Sequence, residues 1–322
     1  MSFVFLVTFV SASCSAPGNS GAGNITLAVI PKGTSHAFWQ SVHAGARRAA
    51  RELGVTIVWR GPLREDDRDA QISEVENAIG RGASGIALAP LDEAALVQPV
   101  QNAKRRGIPV LIFDSGLKGD DFISFVATDN DAGGRLAGEH LAKQLGGRGN
   151  VMLLRYAEGH DSTTRREEGF LAALRLHPAI EIVSANQYVG ADVEGAYKRI
   201  EALLSQHVGP NRQLRIDGLF APNESSAFAM LRVLEDHGWA GNVRAIGFDA
   251  SDALVKGLAN GHLEALVVQD PVRMGYLSVT TLVAHLKGQP VERRIDTGVR
   301  LITKDAMNNP DVQQLLSPDL SK

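Results

Sequence analysis

The chain of 322 residues contains a single cysteine, Cys14. One thiol cannot close an internal disulfide framework, and no paired-cysteine spacing offers a zinc site. Net charge is nearly absent too: 33 Lys and Arg stand against 36 Asp and Glu, a formal charge of −3. That balance argues against a protein whose main business is coating nucleic acid or an anionic membrane. The apolar run Phe3–Val10 is far shorter than the ~20 residues that span a bilayer. Catalytic signatures are missing: there is no Gly-x-x-x-x-Gly-Lys-Ser/Thr loop, no Gly-x-Ser-x-Gly elbow and no His-Glu-x-x-His. Gly21-Ala22-Gly23 precedes the first predicted strand, so it is no dinucleotide fingerprint. Asp129-Asn130-Asp131 lacks the glycine and closing glutamate of a calcium loop and reads as a helix cap. With no nucleophile, metal cluster or cofactor loop, the expectation is a protein that is not an enzyme and uses no cofactor.

What the chain has at its start is leader-like. Phe3–Val10 followed by Ser11-Ala12-Ser13 has the size and order of a signal-peptide apolar region and its cleavage point. A cysteine directly after such residues resembles a bacterial lipobox, which implies lipidation at Cys14 and residence in the periplasm or cell envelope. No basic residue precedes the run, and Ser11 stands where a larger aliphatic is usual. Residues 15–24 are rich in Gly, Ser, Ala and Pro and cannot bury enough apolar surface to order themselves. Residues 1–24 are thus read as signal, lipobox and tether.

From Ile25 onward, short apolar runs alternate with amphipathic stretches of helical length. Strands are predicted over Ile25–Ile30, Val55–Trp59, Gly85–Ala89, Val110–Phe113 and Ser124–Ala127. Helices are predicted over Ala37–Leu53, Asp69–Arg81, Glu93–Arg106 and Ala132–Leu145. In the first of these, Phe38, Val42, Ala46, Ala49 and Leu53 share one face. A second series places strands at Val151–Leu154, Ile180–Ala185, Gly218–Ala221, Ala245–Phe248 and Leu263–Val268. Its helices fall near Thr164–His177, Val193–Ser205, Ser225–His237 and Ser251–Asn260. Continuous apolar strands alternating with helices imply parallel sheets covered on both faces. The fold class is therefore α/β, with two doubly wound parallel-sheet lobes.

Ligands of open parallel sheets bind beyond the carboxyl ends of the strands. Those positions carry Lys32, His36, Phe38 and Trp39, then Asp114 and Ser115, then Asn223 and Glu224, then Asp249, and finally Gln269. Singly, each polar residue has a structural role open to it. Asp249 can cap the helix opening at Ser251, Glu224 can sit in a first turn, and Asp114 can fold a turn. Collected at one end of two sheets, they point to a polar and aromatic site.

The stretches Ser35–Trp39, Ile112–Asp114, Ala127–Asn130, Arg166–Phe170, Phe220–Glu224, Ile246–Asp249 and Val268–Gln269 resemble, in order and spacing, the periplasmic sugar-binding proteins of the ribose-binding type, which feed ABC transporters. The likeness spans about Ile25 to Thr303. It implies a periplasmic binding protein type I fold with a three-crossover hinge, the crossings lying near 127–129, 268–270 and 296–299. Residues 25–127 with 270–297 would form the N-terminal lobe, and 128–269 with 298–322 the C-terminal lobe. It implies a monosaccharide in the cleft, with Phe38 and Trp39 against its ring and Asp114, Arg166, Asn223, Asp249 and Gln269 as the hydrogen-bonding set. His36 and Lys32 take positions that also reach ligand. The implied protein is a monomer that hands its sugar to an inner-membrane ABC permease and touches the membrane only through a lipid anchor.

The chemistry agrees with that carry-over. Carboxylates accept from two hydroxyls at once, Arg offers a planar fork of donors, and an aromatic ring covers a C–H patch. Arg166 has an alternative in pairing with Glu167 or Glu168, and one of Phe38 and Trp39 has an alternative in the core. Three positions depart from the ribose pattern: Ser115 replaces an arginine, His36 replaces an amide with a titratable ring, and Gly190-Ala191 stand where the second lobe usually supplies an aromatic, Tyr188 being the nearest ring. A pentose such as ribose comes first, with a hexose or polyol close behind. Repressors of the lactose-repressor family share such lobes but need a basic helix-turn-helix headpiece, for which the 24 uncharged residues before Ile25 are expected to leave no room. A receptor for chemotaxis or a sensor kinase would use the same lobes, and that reading stays open.

Overall fold

The computed structural model describes residues 25–320. The expected leader, tether and lipidation site at Cys14 lie outside the described residues. Strand β1 (Thr26–Ile30) sends Leu27 and Val29 into one apolar cluster and Ala28 and Ile30 into another. Side chains alternate across a strand, so helices on both faces demand apolar residues at every position. The first lobe continues through α1 (Ala37–Leu53), β2 (Thr56–Trp59), α2 (Arg68–Gly80), β3 (Gly85–Leu88), α3 (Val97–Arg105), β4 (Val110–Phe113) and β5 (Phe125–Ala127). The second lobe opens with α4 (Asn130–Gln144) and β6 (Arg148–Leu153), then α5 (Asp161–Leu174), β7 (Ala179–Ser184), α6 (Val193–Ser205) and β8 (Gly218–Phe220). It goes on through α7 (Glu224–Asp236), β9 (Arg244–Phe248), α8 (Asp252–Ala259) and β10 (Ala265–Gln269). Then come α9 (Pro271–Leu286), β11 (Arg294–Asp296), β12 (Val299–Thr303) and α10 (Pro310–Leu316).

Two six-stranded sheets result, in the orders β11-β5-β4-β3-β1-β2 and β12-β10-β9-β8-β6-β7. The chain passes between them at 127–130, 269–271 and 296–299. Helix α9 leaves the second sheet and packs on α1 of the first, while α4 leaves the first and packs on α5 of the second. These two helix pairs cross at glycines. A Cβ on Gly45 would lie 1.9 Å from the carbonyl of Val272, and one on Gly134 would lie 1.9 Å from the carbonyl of Arg166.

The fold departs from the sequence expectations at defined places. Strand β12 runs antiparallel to β10, with Val299 opposite Gln269. It enters its sheet from the cleft end, where the other strands finish, because only Thr297 and Gly298 separate it from β11. The helix expected from Glu93 begins at Val97. Asp92 takes the amides of Ala94 and Ala95 (both 2.8 Å), and the Glu93 amide donates to Gly159 of the other lobe, which holds this stretch in a turn. Helices α9 and α10 and strands β11 and β12 have no counterpart among the expected elements. In α9, apolar residues occupy most faces and blur the periodicity.

Candidate functional site

The carboxyl ends of β1 and β4 face those of β8, β9 and β10 across the cleft, and together with α5 they line one cavity. Lys32, His36, Phe38, Trp39, Asp114, Arg166, Asn223, Asp249 and Gln269 all line it. The sequence singled out each of these, and the fold brings them to one place.

In the first lobe, Lys32 Nζ lies 2.9 Å from Asp114 Oδ2 and donates to Ser162 Oγ of the second lobe, also at 2.9 Å. Asp114 has a left-handed backbone (φ 61°), a conformation short polar side chains tolerate better than others. Phe38 and Trp39 open α1 and meet edge to face at 4.9 Å, and Trp39 also meets Phe113. Both rings are at once core and cavity wall, so the two readings of them merge.

In the second lobe, Asp249 repeats the device of Asp114: it ends a strand and is left-handed (φ 71°). It does not cap α8, whose N-cap Ser251 makes no side-chain cap bond. Asp249 Oδ1 instead accepts from Gln269 Nε2 (2.7 Å) and Oδ2 from the Glu224 amide (3.2 Å). Gln269 Oε1 is buried without a protein partner. Arg166 pairs with neither Glu167 nor Glu168. Its Nε donates to Asn130 Oδ1 (2.8 Å), its Nη1 to the Pro222 carbonyl (2.9 Å), and its guanidinium lies 3.8 Å over Phe248. Asn223 caps α7 through Ser226 while facing the cavity, so its structural and site readings both hold as geometry.

Glu65, Tyr156, Ser162, Thr163 and Glu224 also line the cavity. Tyr156 and Ser162 lie beyond the carboxyl end of β6, where the strand-end rule could have found them. Glu65 sits in a run of charges from Arg64 to Asp69 that reads as a solvated loop, and no local signal marks it. Yet it is buried and receives Trp39 Nε1 (2.5 Å), His36 Nδ1 (3.2 Å) and, from the other lobe, Tyr156 Oη (2.8 Å). Burial pushes against its ionisation, but the His36 bond and charge, with Lys32 and Trp39, hold it well below the usual carboxylate range. Burial first, then Glu65, raises the Tyr156 phenol, so that hydroxyl stays a donor. Burial likewise raises Asp249 and Glu224 and lowers Arg166. Among the described residues, no group of three or more His, Cys, Asp or Glu is placed to hold a metal ion.

Glu224 expects a sign of its own. His36 at the N-cap of α1 makes no side-chain cap bond, and the helix has no acid in its first turn. Glu224 of the opposite lobe fills that role, accepting from the amides of Phe38 (3.0 Å) and Ala37 (3.4 Å). A cap combined with the helix dipole contributes about 1–2 kcal/mol, and here it joins the two lobes. Glu224→Gln, which leaves one acceptor oxygen for two amides, should therefore loosen this interlobe contact, seen as a larger radius of gyration in solution scattering of the ligand-free protein and about tenfold weaker ligand affinity. An unchanged scattering profile with unchanged affinity would refute this role.

Two histidines give the fold a pH profile. Burial lowers His36, but the Glu65 bond and the charges of Glu65, Glu224 and Asp249 outweigh it and leave the ring above its ordinary value. Its stabilisation is full below pH ~6.5 and is lost as pH rises through the raised folded value. Burial and the charge of Lys32 push His160 down to about 4. As pH falls from ~6.5 towards 4, the unfolded chain takes up a proton that the folded chain refuses, and stability drops by about 3 kcal/mol. Thermal unfolding across pH should peak near ~6.5. His160→Asn should soften the acid limb and His36→Gln the alkaline limb; variants that leave their limbs unchanged would contradict this.

The chain matches the periplasmic binding protein domain family over residues 27–290. It is 30% identical over 291 residues to the ribose import binding protein RbsB of Haemophilus influenzae, covering 90% of this chain and 95% of that one. It superposes with TM-score 0.86 and 33% identity on a carbohydrate transporter solute-binding protein from Agrobacterium radiobacter in complex with D-arabinose, covering 92% and 100% of the two chains. A solute-binding protein of an ABC transporter from Agrobacterium vitis, with bound D-fucose, gives TM-score 0.86 and 34% identity over 90% and 99%. With two parallel-sheet lobes of matching topology and a model match over most of its length, the chain belongs to the periplasmic binding protein family of sugar-transport solute-binding proteins.

Proposed function

We propose that this protein binds a monosaccharide in the interlobe cavity, a pentose such as ribose before a hexose or polyol, and delivers it to an inner-membrane ABC permease. The observation that carries this is the convergence of Asp114, Arg166, Asn223, Asp249 and Gln269 from both lobes onto one buried cavity beside Phe38 and Trp39. A sugar hydroxyl would satisfy Gln269 Oε1, which lacks a protein partner. A missing or inverted hydroxyl would leave such a group unpaired at about 1–3 kcal/mol each, which makes the site selective. The relatives' ribose, D-arabinose and D-fucose support the class of ligand.

In this reading the lobes 25–127 with 270–297 and 128–269 with 298–322 close about the three crossings, and ligand favours closure by binding the closed form more tightly. The protein works as a monomer in the periplasm or cell envelope, tethered by lipid at Cys14. Its task is capture and release, with no bond made or broken. Calorimetry with a panel of pentoses, hexoses and polyols should give micromolar or tighter binding for at least one; no binding by any of them would overturn the reading.

A further inference from the structure

We propose that the Glu65–Tyr156 bridge is a specificity element that walls one end of the sugar pocket and restricts the ligand to a single ring without substituents in that direction. The inference rests on the sugar-binding reading above. The bridge spans the cleft: Glu65 belongs to the first lobe and Tyr156 to the second, and their 2.8 Å bond is buried. On its inner side lies the cavity described above. On its outer side lies a second, larger and more open cavity, lined by Asp66, Ala157, His160, Gly190 and Ala191 among others. The partition follows from chain adjacency: Glu65 faces inward and Asp66 outward, Tyr156 inward and Ala157 outward. His160, on the outer wall, meets the Tyr156 ring edge to face at 4.9 Å, so this ring separates the two spaces.

Space is not what limits the ligand there, since the outer cavity is the larger and Gly190 and Ala191 intrude little into it. The limit is the hydrogen bond. A substituent passing outward would force Tyr156 and Glu65 apart and strand a phenol and a carboxylate in a buried setting, and sites built on such pairs discriminate strongly. Trp39 and His36 hold Glu65 from behind, so the carboxylate cannot swing aside without breaking further bonds.

The test measures binding of the free sugar and of its O-benzyl ethers, one for each hydroxyl including the anomeric one. The wild type should bind the free sugar and reject every ether at least about a hundred-fold. Tyr156→Ala should recover at least about tenfold for one ether and not for the others. Tyr156→Phe, which keeps the buried ring and removes the bridge, should show a smaller gain for that same ether and guards against misfolding of the alanine variant. Wild-type binding of every ether within tenfold of the free sugar, or variants in which no rejected ether gains, would overturn the wall. Failure of every free monosaccharide to bind the wild type would overturn the sugar reading and the wall together.

Discussion

Asp249→Asn is expected to lower sugar affinity at least about a hundred-fold, close to 2.7 kcal/mol, while moving the thermal midpoint of the ligand-free protein by no more than about 4 °C. Both carboxylate oxygens accept from protein donors, Gln269 Nε2 and the Glu224 amide. An asparagine must turn its NH₂ towards one of these donors, which disturbs Gln269 and leaves fewer acceptors for sugar hydroxyls in a setting where unpaired groups are expensive. Asparagine is the right substitute because it tolerates the left-handed backbone at φ 71°, whereas alanine would add backbone strain to the measurement.

Stability is pulled in two directions by the same change. Burial raises Asp249 above its ordinary value, so its ionisation works against the fold and removing it gives relief. Against this, Asp249 is the leading charge that offsets the burial of Arg166, with Asp114, Glu65 and Glu167 remaining after the substitution. These contributions oppose each other, so the net shift is expected to be small, while the binding effect has nothing to oppose it. Calorimetry and thermal unfolding on one preparation decide the matter; affinity within tenfold of wild type would remove Asp249 from the hydrogen-bonding set.

Gly134→Ala should destabilise the protein by about 3–5 kcal/mol and weaken ligand binding with it. The added Cβ would sit 1.9 Å from the Arg166 carbonyl and 2.7 Å from its carbon, both backbone atoms of α5 that cannot rotate away. Helices α4 and α5 would have to part, and α5 carries the guanidinium that reaches Asn130 and Pro222. Gly275→Ala repeats the experiment in the other lobe, where the new atom would lie 1.9 Å from the Val42 carbonyl. Gly80→Ala is the control. Gly80 ends α2 with open space around its Cβ position, and the change should be neutral or stabilise by up to about 1 kcal/mol. Denaturant unfolding of the three variants checks this; Gly134→Ala as stable as Gly80→Ala would show that the close crossing does not constrain the fold.

The legible part of the site follows one rule. Lys32, Asp114, Asn223, Asp249 and Gln269 sit where apolar strands give way to polar residues, and strand ends are visible in a one-dimensional pattern. Tyr156 obeys the same rule and was within reach of it. Glu65 was not, because it lies in a loop whose neighbours Arg64, Asp66 and Asp67 are exposed, and nothing local tells a buried carboxylate from a solvated one. Arg166 shows the converse: the residue was visible, but its partners Asn130 and Pro222 were not, since they come from separate elements.

By itself the sequence determined the α/β class, the two series of strands, and most of the residues at the cleft. Periodicity and strand-end composition are local properties, written within a few residues of one another. Only the tertiary structure decided that β12 runs antiparallel and that Glu65 meets Tyr156 while Glu224 caps α1. The two side-chain contacts join residues 91 to 187 positions apart. They exist because two separately folded sheets present their carboxyl ends to each other, and no local pattern records how two such surfaces meet.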